Sequence, residues 1–317
     1  VSTTPYREYG GLASVPGPFR CSDATVTVLA LPADPGAVAA LCATALAGSD
    51  GTSPYRPLGS FVLLTFGAMT VRSESGATSP LFGSAYDAMG SSTERHVAFW
   101  VPMAATHRAH HVEVLDRIVL FTPVMWVDNP VSLVGGREIY GINKQWGTPV
   151  VTAGAAPGCT LEVFGGDFGR EEASGMQLLL EVAPRPGSHP VEAAGRAVED
   201  VGRAAADAIG RLLRGEVTLP DGDFVHQVAS ALQGRRMAQV TARQFRVPTG
   251  NGADGSPVEL VELTSTFHAA SAHLVAHGFD VTLHPVASHP VARMLGLAAT
   301  QRVPFAVEVK ADFTLSV

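Results

Sequence analysis

Lysine is nearly missing from this chain. Of its 22 basic residues, all but Lys144 and Lys310 are arginines. Cysteine is also scarce. Cys21, Cys42 and Cys159 are odd in number and widely spaced. That excludes a disulfide framework or a paired zinc motif and reads as free thiols of a cytoplasmic protein. Basic surplus is absent: the net charge is -7 and the pI about 5.9, with no basic patch for a nucleic-acid partner. No apolar run approaches the ~20 residues of a membrane-spanning helix. The opening Val1-Ser-Thr-Thr-Pro-Tyr6 lacks the charged-then-apolar layout of a secretion signal. The expectation is therefore a cytoplasmic protein with no membrane and no nucleic-acid partner.

Several familiar motifs are missing as well. Gly135-Gly136 is followed by Arg-Glu, not Lys-Ser, so it is no phosphate loop. Asp167-Phe168-Gly169 has no glycine loop or catalytic loop before it and reads as a turn. Ser14, Ser60 and Ser91 sit in no nucleophile-elbow pattern. His107, His110 and His111 have metal-like spacing, but the stretch to Glu113 reads as a loop with Arg108 in its middle. His273 and His277 have no carboxylate at helical spacing. No metal and no cofactor is expected.

What is present is β structure. Apolar or alternating runs occupy residues 25–31, 60–71, 95–103, 117–127, 150–153, 159–164, 176–182, 239–247, 258–267, 279–285 and 303–315. Residues 34–46 read as a helix, with Asp34 as N-cap, Pro35 at the first position and a Gly48 stop. The clearest helical pattern is 190–213, and a second covers 224–232. Residues 248–257 carry turn chemistry. The spacing predicts one domain over 1–317 that is mainly antiparallel, with a helical insertion at about 186–236. Strands that do not alternate regularly with helices argue against a doubly wound parallel sheet.

In a chain that uses arginine for nearly every positive charge, a retained lysine has a chemical meaning. Arginine stays protonated and cannot act as an amine nucleophile, whereas lysine can. A free lysine, with a pKa of ~10.4, is almost wholly charged at neutral pH. Burial in an apolar site penalises the ammonium and lowers that value by up to about 3–5. Val134, Ile139, Tyr140, Ile142 and Trp146 supply apolar neighbours to Lys144 in sequence. Lys310 alternates with apolar residues and reads as a solvent-facing strand residue.

The densest segment runs from Trp126 to Trp146. Its Asp128-Asn129 pair, Gly136-Arg137-Glu138 turn, Tyr140 and Lys144 resemble the signature of the acetoacetate decarboxylase family. Gly17-Pro18-Phe19, Thr93-Glu94 and the turn at Asp254 resemble other segments of that family in the same order. The resemblance implies an α+β fold dominated by an antiparallel, barrel-like sheet with peripheral helices, and a homo-oligomer. It implies that Lys144 forms a Schiff base with a small-molecule carbonyl substrate. Glu94 is then the candidate acid/base. Arg137 and Glu138 are expected as a buried structural pair at the turn. Tyr140 and Trp146 are expected in the core or the pocket wall.

Three positions depart from the family. The second lysine that commonly follows the Schiff-base lysine is Gln145 here, so the adjacent cation that activates the family's amine is gone. The family's arginine on the first strand and glutamate on the next fall, by sequence register, at Ala24 and Val62. These losses point away from plain acetoacetate decarboxylation, toward a larger keto substrate or another fate of the imine, such as aldol, dehydration or cyclisation chemistry in specialised metabolism. A non-catalytic binding protein of the same fold is the alternative. A metal hydrolase using His107, His110 and His111 is the second.

Overall fold

The β-branched and aromatic runs form long strands that the computed structural model joins into one hydrogen-bonded sheet of fourteen, thirteen of them along a single path. Residues 14–48, 51–109, 112–154, 156–166, 174–185, 217–218, 236–249, 252–255, 258–275 and 277–317 are described. In chain order the elements are β1 (Phe19–Pro32), α1 (Pro35–Ala45), β2 (Tyr55–Pro57), β3 (Phe61–Ser73), β4 (Ser91–Ala109), β5 (Val112–Val127), α2 (Pro130–Glu138), β6 (Lys144–Thr152), β7 (Gly158–Gly165), β8 (Gly175–Arg185) and β9 (Val217–Thr218). There follow β10 (Arg236–Arg243), the separate hairpin β11 (Arg246–Thr249) and β12 (Gly252–Gly255), β13 (Glu259–Val275), β14 (Gly278–Leu283), α3 (Val291–Leu295), β15 (Thr300–Val303) and β16 (Ala306–Ser316).

Seven strands close a barrel in the order β5-β10-β13-β16-β1-β3-β4 and back to β5. All its pairings are antiparallel except the short parallel contact of β5 with β10. Closure leaves those strands without a free edge. On the same side as β10, but nearer its C-terminal end, β5 pairs in parallel with β6 at Met125–Lys144. From there β6-β7-β8-β14-β15 continues as a second sheet. The expected mainly antiparallel barrel is therefore what forms, with parallel contacts confined to β5.

The alternation of side chains divides the barrel into two environments. One face of β3 and β4, with Val62, Leu64, Phe66, Val97, Phe99, Val101 and Met103, packs outward against Leu161, Leu180, Phe279 and Leu283 of the second sheet. Helix α1 buries Val38 and Cys42 in the same core. Its start is fixed as expected, by Asp34 accepting from the Ala37 amide at 2.7 Å. The other face turns into the lumen. On β1 a register shift between Cys21 and Ala24, with Asp23 at φ 53, resets the alternation. Phe19 and Cys21 before the bulge, and Ala24, Val26 and Val28 after it, thus all line the lumen.

Some expectations change. The stretch read as a Gly-Arg-Glu turn is the C-terminal half of α2, which Asn129 caps by accepting from the Ser132 amide at 3.0 Å, with Pro130 at its start. The stretch from His107 is not a loop: β4 runs on to Ala109 and pairs back with β5. Residues 190–213 and 224–232, most of the expected insertion, and His110 and His111 lie outside the described residues. Among the described residues no helix is long and apolar enough to cross a membrane.

Candidate active site

Lys144 is the first residue of β6, placed where β5 exchanges β10 for β6 as its neighbour. A strand that starts there sends its first side chain into the barrel and its second, Gln145, the other way. Lys144 is 8% exposed. Its stem crosses α2 at Gly136, where a Cβ would stand 2.6 Å from Lys144 Cδ and 2.9 Å from Cε. No side chain larger than hydrogen fits between helix and lysine.

The lysine nitrogen meets two partners. Nζ donates to Glu94 Oε2 at 2.9 Å and to Ser132 Oγ at 2.5 Å. The Ser132 hydroxyl in turn donates to the same Glu94 oxygen. Glu94 comes from β4 and is 1% exposed; Ser132 comes from the first turn of α2. Two residues along β4, and so on the same face, His96 places Nδ1 3.9 Å from Glu94 Oε1. That nitrogen is buried and has no hydrogen-bond partner among the described residues. The sequence surrounds Lys144 with apolar side chains. In the fold its stem lies against Gly136, and its tip meets a carboxylate and a hydroxyl.

Burial alone pushes the Glu94 carboxyl up. The Lys144 ammonium, His96 and the Ser132 bond outweigh it and hold the group below its ordinary 4.5, as a carboxylate. Burial holds His96 below 6.5 against the pull of Glu94, so it is neutral at neutral pH. Cys21, beside this cluster, is a free thiol pushed up to about 12 by burial and by the Glu94 charge. It is no competing nucleophile.

These groups open on a cavity of about 570 Å³ inside the barrel. Tyr140 lines it, 2% exposed, packed on Phe19 at 5.6 Å between ring centroids. Its ring lies so close to Gly17 that a Cβ there would fall 1.7 Å from the phenol oxygen. The Thr241 hydroxyl fixes the Tyr140 carbonyl at 2.5 Å. Ala24 also lines the cavity. Val62 does not: it is wholly buried on the outer face of β3, so the sequence register that set a family carboxylate there is not the lumen-facing one. The lumen positions of β3 are Leu63, Thr65, Met69, Val71 and Ser73.

The other candidates stand apart. Arg137 is exposed rather than buried with Glu138; it donates to the Lys144 carbonyl at 2.9 Å and to Asn143 Oδ1 at 3.3 Å, clamping the chain that presents the lysine. Glu138 ends α2, half-buried, and its carbonyl accepts from Arg243 at 3.1 Å. Gln145 does not reach the cavity, and Trp146 is 48% exposed instead of packed in a core or pocket wall. His107 bonds Asp116 at 2.6 Å on the surface. Lys310 is exposed on β16, as its alternation implied, with Nζ 3.7 Å from Glu308. Ser132 and His96 were missed in the sequence. A signal existed for each: His96 shares the strand face of Glu94, and Ser132 lies in the same dense segment as Lys144.

A family model described as acetoacetate decarboxylase matches residues 3–173, more than half of the 317. No curated protein matches the chain in sequence. Among solved structures, an acetoacetate decarboxylase-like enzyme from Sphingomonas wittichii RW1 is similar at 13% identity and a TM-score of 0.52, over 95% of this chain and 92% of its own. The acetoacetate decarboxylase of Legionella pneumophila gives 12% and 0.48 over 99% and 93%. The enduracididine biosynthesis enzyme MppR, complexed with the condensation product of pyruvate and imidazole 4-carboxaldehyde, gives 13% and 0.47 over 94% and 87%.

Proposed function

Because the chain belongs to the acetoacetate decarboxylase family, we propose that it is a carbon–carbon lyase whose Lys144 amine condenses with a substrate carbonyl. The observation that carries this reading is the contact of Lys144 Nζ with Glu94 Oε2 at 2.9 Å and with Ser132, inside a largely apolar cavity. Glu94 is charged and within reach of the proton that the ammonium must lose before it can attack. Ser132 bridges the two and offers a second route for that proton.

The freed lone pair forms the N–C bond while the carbonyl electrons move to oxygen, which takes the proton held at Glu94. The nitrogen, now cationic, gives a second proton back to Glu94, which hands it to the hydroxyl; the carbinolamine then loses its oxygen as water as the nitrogen lone pair closes the C=N bond. The iminium keeps the positive charge that Glu94 already compensates. It accepts electrons either from a breaking bond to a carboxylate, releasing carbon dioxide, or from an α-carbon that gives its proton to Glu94. Both routes yield an enamine: in the first it is protonated on carbon, in the second it attacks another carbonyl. Water returns the free amine. Ala24 and the neutral lumen of β3 offer no group to hold a small substrate's carboxylate, which favours the aldol-type or dehydrating outcome over plain acetoacetate decarboxylation.

The test is reductive trapping. The protein is incubated with acetoacetate, pyruvate and a series of neutral ketones and aldehydes, treated with borohydride, and digested for mass spectrometry. A reduced adduct is expected on the Lys144 peptide and absent from Lys144→Arg, whose guanidinium does not deprotonate. Label on Lys310 alone, or none with any compound, overturns the reading.

A further inference from the structure

We infer that the carbonyl compound this cavity accepts is an elongated, uncharged, largely apolar ketone or aldehyde, not a small keto acid. The inference rests on the imine reading above and adds the class of substrate to it. Its first ground is charge. Among the described residues that line the cavity, Lys144 and Glu94 are the ones that carry charge, and they compensate each other. The iminium would remain cationic and still need Glu94. A substrate carboxylate would then sit in the barrel as a surplus negative charge, a few ångströms from another carboxylate. A buried charge without a partner is strongly disfavoured. His96 does not supply the missing cation, because its burial keeps the ring neutral.

The second ground is shape. The cavity follows β3 from Leu63 to Ser73. At about 3.3 Å per residue that is roughly 33 Å of strand, or about 25 Å along a barrel whose strands tilt by ~40°. Its volume of about 570 Å³ falls among pockets that enclose drug-sized molecules. Its wall includes the apolar side chains of Val26, Val28, Val71, Met237, Val309 and Phe313. Its interior polar groups are largely turned on one another: Gln239 donates to Ser265 at 3.0 Å, and the Trp100 indole donates to Thr65 at 2.8 Å. The buried lining nitrogen left over, His96 Nδ1, stands beside Glu94, where the reacting carbonyl would be. It suits one hydrogen-bonding group close to that carbonyl and none along the chain.

The third ground is the rim. Met89, Gly90, Ser91 and Ser92 are exposed where the cavity reaches the surface. Met89, 39% exposed, is the apolar side chain of that rim. An exposed apolar side chain at a mouth fits an apolar guest better than a hydrated anion.

The experiment uses matched pairs on the whole chain. A long-chain methyl ketone, the α-keto acid of the same length, acetone and pyruvate are each titrated and trapped with borohydride, and the concentration giving half-maximal label on Lys144 is read. The long ketone is expected to label at a concentration at least about tenfold below that of its matched keto acid. Apparent affinity should rise roughly two- to fourfold per added methylene from acetone upward. Pyruvate or the long keto acid labelling Lys144 as readily as the long ketone overturns the inference and leaves the imine reading standing. Absence of label from every compound removes the imine reading, and this inference with it.

Discussion

Gly135 and Gly136 are adjacent in one helix, yet the structure gives them opposite sensitivities to the same substitution. A Cβ at Gly136 would stand 2.6, 2.9 and 3.2 Å from Cδ, Cε and Cγ of Lys144. Carbon atoms rest at about 3.5–4.0 Å, so Gly136→Ala must move the lysine stem by roughly 1 Å. At a reacting centre a displacement of that size costs on the order of 100-fold in rate. A Cβ at Gly135 meets the Val15 carbonyl at 3.6 Å and Phe19 Cζ at 4.0 Å, both ordinary contacts. Either alanine gains about 0.8–1 kcal/mol of helix propensity over glycine, worth about 2 °C in a chain of this size. Gly135→Ala should therefore melt slightly higher and form the trapped imine within about twofold of the parent rate. Gly136→Ala should melt within a few degrees of the parent and trap about 100-fold more slowly. Measuring both by thermal unfolding and by initial rates of borohydride-trapped adduct separates a packing role from a positional one. Parent-like trapping by Gly136→Ala, or equal losses in both variants, would refute the reasoning.

The polar cluster gives further outcomes. Glu94→Gln leaves the Lys144 charge buried without its counter-ion, so the urea midpoint should fall by the equivalent of about 3 kcal/mol and trapping by about 100-fold or more. Unchanged trapping would remove Glu94 as the acid/base. Ser132→Ala keeps the direct Lys144–Glu94 contact and removes the bridge, so the trapping rate should drop about tenfold with a stability loss near 1 kcal/mol. A loss as large as that of Glu94→Gln would contradict the direct route. Stability should also fall with acid in two stages. Folded His96 resists protonation, so as pH drops below 6.5 the unfolded chain binds a proton that the folded one does not. Glu94 is held below 4.5, so its contribution is present above that value and is lost as pH falls toward its folded pKa. His96→Gln should shrink the first stage and leave the second; a remainder stays because burial also holds His289 below 6.5. Urea midpoints that are equal at pH 5 and pH 7.5 in the parent chain would sink this account.

What the sequence announced and what it hid follow from the range of the interactions concerned. Strand runs and the α1 cap are local, and they were legible: Asp34, Pro35 and the apolar face of α1 lie within a few residues of one another. Lys144 was legible because of its chemical isolation among arginines and the dense segment around it. The partners on its nitrogen were less so. Glu94 is fifty residues away, and its facing depends on which way β4 alternates, which short-range pattern does not fix. α2 is hidden because Gly135 and Gly136 lower helix propensity; Gly136 is there because the lysine stem needs the space. Val62 shows the converse. Counting along a strand gave a position, but only the pairing of β1 with β3 and β4 settled that the position faces the outer core. In sequence Trp146 reads as core or pocket wall because it is large and apolar. In the register of β6 it falls on the face opposite Gln145, level with Val127 of β5, and is left 48% exposed there.

The barrel can hold an open cavity because its stability does not depend on filling its lumen. Trp126, Phe66, Phe99, Phe279, Leu64 and Leu161, among the largest fully buried side chains, all lie in the core between the barrel's outer face and the second sheet. That sheet exists because β5 changes neighbours, and the same change starts β6 at Lys144. One topological event therefore supplies the outer core, releases the inner face from packing, and aims an amine into the space so released. The consequence is a division of sensitivity. Truncations on the outer face, such as Phe99→Ala, belong with core losses of about 3–5 kcal/mol. Truncations along the lumen, such as Val28→Ala, enlarge a cavity that is already open and should cost far less stability while shifting which chain lengths label Lys144. A lumen truncation as destabilising as Phe99→Ala would mean that the interior is packed after all, and that the space around the lysine is not a binding site.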